Sequence, residues 1–188
     1  MDIHEYQSKE ILSEYGIPIA AGGLAYSPEQ AAYRATEIGG NVWVVKAQIH
    51  SGARGKAGGI KVCKSEDDVA KAAEELLGKK LVTHQTGPQG KVCHRIYIEA
   101  GCNIEREIYI AFVLDRQNES VTVVASAEGG MEIEQLAVEK PESIIKIAVE
   151  AAVGMQPFQA REIVFALGLD KTQVNQAVTT ILGCYRAM

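Results

Sequence analysis

The sequence has no apolar run near the roughly 20 residues that a membrane-spanning helix needs, so none of its 188 residues reads as part of such a span. Its opening, Met1-Asp2-Ile3-His4-Glu5, lacks the basic patch and apolar stretch of a secretory signal. A basic excess is missing too. The formal net charge is -5, which disfavours a broad nucleic-acid surface, because neutralising phosphates takes surplus cations. The four cysteines (Cys63, Cys93, Cys102, Cys184) form no C-x-x-C pair. Nor do the four histidines (His4, His50, His84, His94) share a metal-ligand spacing with them. Cys93 and His94 are adjacent, but neighbours on a strand face opposite ways. There is no internal repeat, low-complexity tract or obvious linker. The expectation is a cytoplasmic protein with reduced thiols, bound neither to a membrane nor to nucleic acid.

What is present is ordinary globular chain, 47% hydrophobic and 23% charged, long enough for one domain or two small lobes. Helix signals begin with Asp2 and Glu5 in a capping-box pattern, with Gly16 and Pro18 as the stop. Ser27-Pro28-Glu29-Gln30 opens a second helix that Gly39-Gly40 closes, and Ser65 to Asp68 opens a third that ends at Gly78. Asp170-Lys171-Thr172-Gln173 starts a helix running to the end of the chain. Strands are expected over residues 42–48, 60–63, 81–85, 92–100, 107–115 and 120–127. Helices mixed with hairpins indicate an α+β fold.

The densest chemical signal is Lys46-Ala47-Gln48-Ile49-His50-Ser51-Gly52-Ala53-Arg54-Gly55-Lys56-Ala57-Gly58-Gly59. Its glycines leave little bulk, so backbone N–H groups can approach an anion, while Lys46 is aimed from a strand and Arg54 and Lys56 sit in the loop. A phosphate-binding P-loop or a Rossmann turn would lead into a helix, whereas a strand follows here. The H-R-D and D-F-G motifs of a protein kinase are absent. The segment also fits an exposed hairpin tip with solvated basic residues. In Glu99-Ala100-Gly101-Cys102-Asn103-Ile104-Glu105-Arg106-Glu107, two strands meet at a polar turn. Its backbone could meet a purine edge and its carboxylates a ribose, or the two glutamates could simply face solvent. Ser126-Ala127-Glu128-Gly129-Gly130-Met131-Glu132-Ile133-Glu134 puts glycines directly after a strand, a weak ligand signal by itself.

Taken with His4-Glu5-Tyr6-Gln7-Ser8-Lys9, Leu77-Gly78-Lys79-Lys80-Leu81-Val82-Thr83 and Gln159-Ala160-Arg161-Glu162, these segments resemble the β subunits of ADP-forming succinyl-CoA synthetases across essentially the whole chain. Malate–CoA ligase β subunits are the near relatives. The resemblance implies an ATP-grasp fold of two lobes with a nucleotide cleft between them. Residues 21–103 would form the first lobe, and 1–20 with 104–188 an incomplete second. Lys46 would contact the nucleotide phosphates, Ala53-Arg54-Gly55 would fold over them, and Glu99, Cys102 and Glu107 would hold adenine and ribose. Two departures stand out: Ala53 where glycine is frequent, and Cys102 where a polar residue is frequent, so that its backbone would make the contact. The cofactors implied are ATP and one Mg2+, whose ligands would lie beyond Met188, as would a CoA-ligase domain that meets the α subunit. No catalytic residue or metal ligand is then expected in this chain. The complete enzyme would couple ATP to reversible succinyl-CoA formation through a phosphohistidine on the α subunit. The alternatives are a malate–CoA ligase and a nucleotide-binding fragment without activity. The loop over residues 51–59 is expected to be mobile without ligand.

Overall fold

The computed structural model describes residues 2–130 and 133–188; Met131 and Glu132 of the glycine-containing segment after Ser126 lie outside them. The chain divides into two compact units, residues 1–11 with 19–103 and residues 12–18 with 104–188. The sequence reading drew its line at residue 20. The first helix, α1 (Glu5–Glu14), instead supplies its beginning to the first unit and its end to the second.

The first unit is a four-stranded sheet with two helices on one face. Its strands are β1 (Gly22–Ala25), β2 (Trp43–Ala47), β3 (Ile60–Cys63) and β6 (Ile96–Ala100), in the order β1-β6-β2-β3. Every pairing is antiparallel. The helices α2 (Pro28–Ile38) and α3 (Glu66–Leu76) start where the sequence indicates. The Ser27 hydroxyl accepts from the Gln30 N–H at 3.2 Å, and the Ser65 hydroxyl from the Asp68 N–H at 3.1 Å. Period-two alternation sends Trp43, Val45 and Ala47 into a core with Ile96, Ile98, Ala35, Val69 and Leu76. Fully buried Leu76, Ile96 and Ile98 each contribute about 1.5–3 kcal/mol of apolar transfer.

A short ribbon, β4 (Lys80–Leu81) with β5 (Lys91–Val92), takes the place of the longer strands expected over 81–85 and from 92 onward. The reason is local. Thr83 N–H donates to the Thr86 hydroxyl at 2.9 Å and Thr86 N–H to the Thr83 hydroxyl at 3.2 Å. Side-chain oxygens thus take backbone donors that a ladder would have used.

The second unit holds the antiparallel sheet β7 (Tyr109–Asp115), β8 (Ser120–Ser126) and β9 (Ile144–Val149). Between β8 and β9 lie α4 (Ile133–Glu139) and a 3-10 turn, Pro141–Ser143. The helices α5 (Pro157–Ala166) and α6 (Val174–Ala187) complete it. Its own core joins Val123, Ala125 and Val149 of the sheet to Ile163, Val164, Val178 and Ile181. Helix α6 begins four residues after Asp170, because the Asp170 carboxylate folds a turn first, accepting from the Thr172 and Gln173 N–H groups at 2.7 and 3.2 Å. At Gly183 an added Cβ would stand 3.0 Å from the Tyr15 carbonyl oxygen, so residues 15–17 cross α6 where a side chain is missing.

Among the described residues no helix is long and apolar enough to cross a membrane. All four cysteines are free, Cys63 and Cys93 buried and Cys102 exposed.

Candidate functional site

The same alternation that buries Val45 turns Lys46 to the opposite face of the first unit's sheet. Register puts Lys46 beside Tyr97 and Val44 beside Glu99, so Lys46, Tyr97 and Glu99 share that face. Helix α1 covers it with Glu5 and Lys9. The Lys9 ammonium rests 5.4 Å from the centre of the Tyr97 ring. The ring in turn lies across Gly22, where a Cβ would come within 2.3 Å of the tyrosine oxygen.

Five charged groups converge there. Glu99 is 6% exposed and takes the Lys46 ammonium on one carboxylate oxygen and the Lys9 ammonium on the other. Glu5 accepts from Lys46 at 3.2 Å, from the Gln48 amide at 3.3 Å and from the Arg54 guanidinium, with Lys9 at 3.7 Å. Three cations against two carboxylates leave a net positive, half-buried cluster. Removal from water lowers the Lys46 and Arg54 pKa values. The same cause, followed by repulsion from Lys46, brings Lys9 down to about 8. At about 8 the ammonium is still mostly charged at neutral pH.

The glycine-rich loop is a hairpin connection between β2 and β3, tied at its ends. Ala47 N–H donates to Gly59 O at 2.8 Å, Gly59 N–H to Arg54 O at 2.8 Å, and Arg54 returns a guanidinium N–H to Ala47 O at 2.7 Å. Gly52 N–H donates to the Gln85 side chain at 2.6 Å, and the Ser51 and Thr83 hydroxyls lie 2.6 Å apart. Ala53 adopts φ 55°, a left-handed backbone that suits glycine. The loop and the start of α1 enclose an open cavity of about 660 Å³, lined by Glu5, Ser8, Ala53, Arg54, Gly55 and Gln85 among others. That volume lies in the range of small-ligand sites. Its lining sets the Arg54 guanidinium beside the Asp2 and Glu5 carboxylates, with the Lys46 ammonium paired to the same Glu5.

The structure thus brings Lys46, Arg54 and Glu99 into one cluster and sets Ala53 and Gly55 on the adjoining cavity wall. Glu99 is buried and ion-paired rather than solvent-facing, and its backbone lies between two ladders. Cys102, exposed, follows in irregular chain after Gly101, whose N–H donates to Val42 O at 2.8 Å. Glu107 belongs to the second unit and is exposed. There a Cβ on Gly129 would come within 2.4 Å of the Glu107 carbonyl carbon, and one on Gly130 within 2.5 Å of its carboxylate. The paired glycines therefore serve close approach to Glu107. Among the described residues no group of three His, Cys, Asp or Glu side chains could hold a metal ion.

The sequence gives Lys9 and Gln48 no role at the site and Glu5 only that of a helix cap. The four-residue spacing of Glu5 and Lys9 on one helix face was the available signal. It was masked because Glu5 also fits a cap. In the structure the cap is His4 with Gln7, whose side chain accepts from the His4 N–H at 2.9 Å, and Glu5 is released to the cluster.

Comparison with known proteins shows the family. A family model described as an ATP-grasp domain matches residues 2–188. A probable malate–CoA ligase subunit beta of Mesorhizobium japonicum is 58% identical over 99% of this chain and 47% of its own length. A succinate–CoA ligase [ADP-forming] subunit beta of Nautilia profundicola is 55% identical over 95% of this chain and 46% of its own. The chain thus spans about half the length of the curated relatives it matches. Among solved structures, the dinucleotide-forming acetyl-coenzyme A synthetase 1 of Candidatus Korarchaeum cryptofilum covers 98% of this chain and 79% of its own. It superposes with a TM-score of 0.71 at 22% identity, a likeness of fold.

Proposed function

The chain belongs to the ATP-grasp family, and on that premise we propose that it is the nucleotide-binding part of an ADP-forming dicarboxylate–CoA ligase β subunit. The observation that carries this is the convergence of Lys46 and Arg54, both largely withdrawn from water, beside a glycine-rich loop and a cavity open to a ligand. In the proposed assignment Lys46 and Arg54 meet the phosphates of ATP. The backbone of Ala53-Arg54-Gly55 closes over them, and Glu99, Cys102 and Glu107 attend adenine and ribose, Cys102 through its backbone. Phosphoryl transfer depends on positioning and charge neutralisation more than on covalent work by the protein. The ion pair with Glu99 fixes where the Lys46 ammonium points, and desolvation makes its attraction for a phosphate oxygen stronger than in open water. Mg2+ is proposed to arrive with the nucleotide, where it would neutralise the β- and γ-oxygens.

The reaction of the whole enzyme, also proposed, joins succinate to CoA as ATP becomes ADP and phosphate, with a separate α subunit carrying the phosphorylated histidine. Malate is the second reading, favoured by the 58% identity to a protein named as a probable malate–CoA ligase subunit. Calorimetry with Mg-ATP tests the nucleotide assignment. Weak binding is expected of this chain, and Lys46→Ala should weaken it further by about 1.5–3 kcal/mol, the worth of a charged hydrogen bond. Equal affinity for the variant and the parent would reject the role of Lys46. Acyl-CoA formation with an added α subunit, measured with succinate and with malate, separates the two acids.

A further inference from the structure

The cations assigned to the phosphates are already engaged by an anion that belongs to the chain. Glu5 lies in the first turn of α1, where a carboxylate ordinarily stays near the helix N-terminus and its exposed N–H groups. Here it turns onto the sheet, and its two oxygens receive Lys46 at 3.2 Å, Gln48 at 3.3 Å and the Arg54 guanidinium. Donors from a strand lysine and a loop arginine surround it much as they would surround two phosphate oxygens. Glu5 and Arg54 also line the same cavity wall as Gly52, Ala53 and Gly55, so an anion entering past the loop reaches the pair directly. The helix holds Glu5 in place from behind: the Tyr6 N–H, a first-turn donor with no partner inside the helix, donates to the Gln48 side chain at 3.3 Å.

We propose that Glu5 is an internal competitor for the phosphate site, seated on Lys46 and Arg54 until a polyphosphate displaces it. This rests on the nucleotide assignment of those two cations. A tethered carboxylate competes at a high effective concentration. A singly charged anion therefore gains little by replacing it, whereas a di- or triphosphate brings enough charge and enough oxygens to win. Glu5 would thus set what the site accepts by opposing weak anions rather than by attracting the right one. Once displaced it remains near Lys9, so its charge keeps a partner. Glu99, which holds Lys46 and Lys9 from the far side, keeps those cations in position throughout.

The test is a titration of the 188-residue chain with inorganic pyrophosphate and with sulfate, followed by NMR on the amides of residues 51–59. Parent, Glu5→Gln, Glu5→Asp and the double variant Glu5→Gln/Lys46→Ala are compared. Glu5→Gln should bind pyrophosphate at least tenfold more tightly than the parent and should gain sulfate binding. Glu5→Asp, which keeps the charge on a shorter stem, should fall between them, and the double variant should lose the gain. Pyrophosphate affinity in folded Glu5→Gln equal to or below that of the parent overturns the proposal. If the Gln variant does not fold, a Glu5→Asp affinity no higher than the parent's overturns it equally. The nucleotide assignment is judged separately, by comparing ATP with tripolyphosphate on the parent and on Glu5→Gln. Equal affinities would reject a site for adenosine and leave the Glu5 comparison standing.

Discussion

Ala53 and Glu119 are the two non-glycine residues described with positive φ, at 55° and 50°. The left-handed region costs an L-residue about 1 kcal/mol relative to glycine, less the extra entropy that glycine loses on folding. Ala53→Gly is therefore expected to change stability by under about 1 kcal/mol while loosening the loop, as thermal melting and amide exchange over residues 51–59 would show. At Glu99 the balance is harsher. Glu99→Ala leaves Lys9 and Lys46 without their buried partner, and only Glu5 then offsets the repulsion between them. A loss of about 2–3 kcal/mol is expected in denaturant titration, below the range for a fully buried pair because both lysines keep some water.

His4 carries a pH dependence. Burial, then repulsion from His50 stacked on it at 3.9 Å and from Arg95 and Arg54, lowers its pKa, while Asp2 opposes them. The folded chain therefore binds fewer protons than the unfolded one. Its stability is unaffected by His4 above about pH 6.5 and falls as pH drops below that value. His4→Phe should flatten the decline in melting temperature between pH 7 and 5; an identical decline in parent and variant would exclude His4 as its source.

At the scale of elements, legibility followed the strength of local rules. Helices α2 and α3 were readable because Ser27 and Ser65 cap them through their own hydroxyls. Strands β2, β3, β7 and β8 were readable from alternation and turn residues. Short β1, with two glycines in Gly-Gly-Leu-Ala, carries no periodic signal and exists because β6 pairs with it. Strand β9 and helix α5 likewise take their definition from packing around Val149 and Ile163. The glycine loop announced itself by composition, but its partners Gln85, Thr83 and Glu5 are distant in sequence and give no local sign. Hydrogen exchange should resolve the loop unevenly. Gly52 and Gly59, whose N–H groups donate at 2.6 and 2.8 Å, should exchange more slowly than the loop's middle. Uniform protection equal to that of β2 would contradict a loop that opens for ligand. In the second unit, Gly129→Ala must push the Glu107 backbone aside, and a stability loss of about 1–3 kcal/mol is expected from such overpacking.

For the molecule as a whole, two separate apolar cores mean two separable stabilities. Leu76→Ala should cost the first unit about 2–5 kcal/mol, and Ile163→Ala the second a similar amount. Native-state exchange should find each loss confined to the amides of its own unit. The division of the chain also bears on how it is made. All of the first unit has left the ribosome's active centre once Asn103 is added, and it can condense while synthesis continues. Residues 12–18 belong to the second unit and rest on α6 at Gly183, which is joined much later than they are. A segment made this early must therefore wait, unpaired and reachable by proteases or chaperones, until α6 has been synthesised.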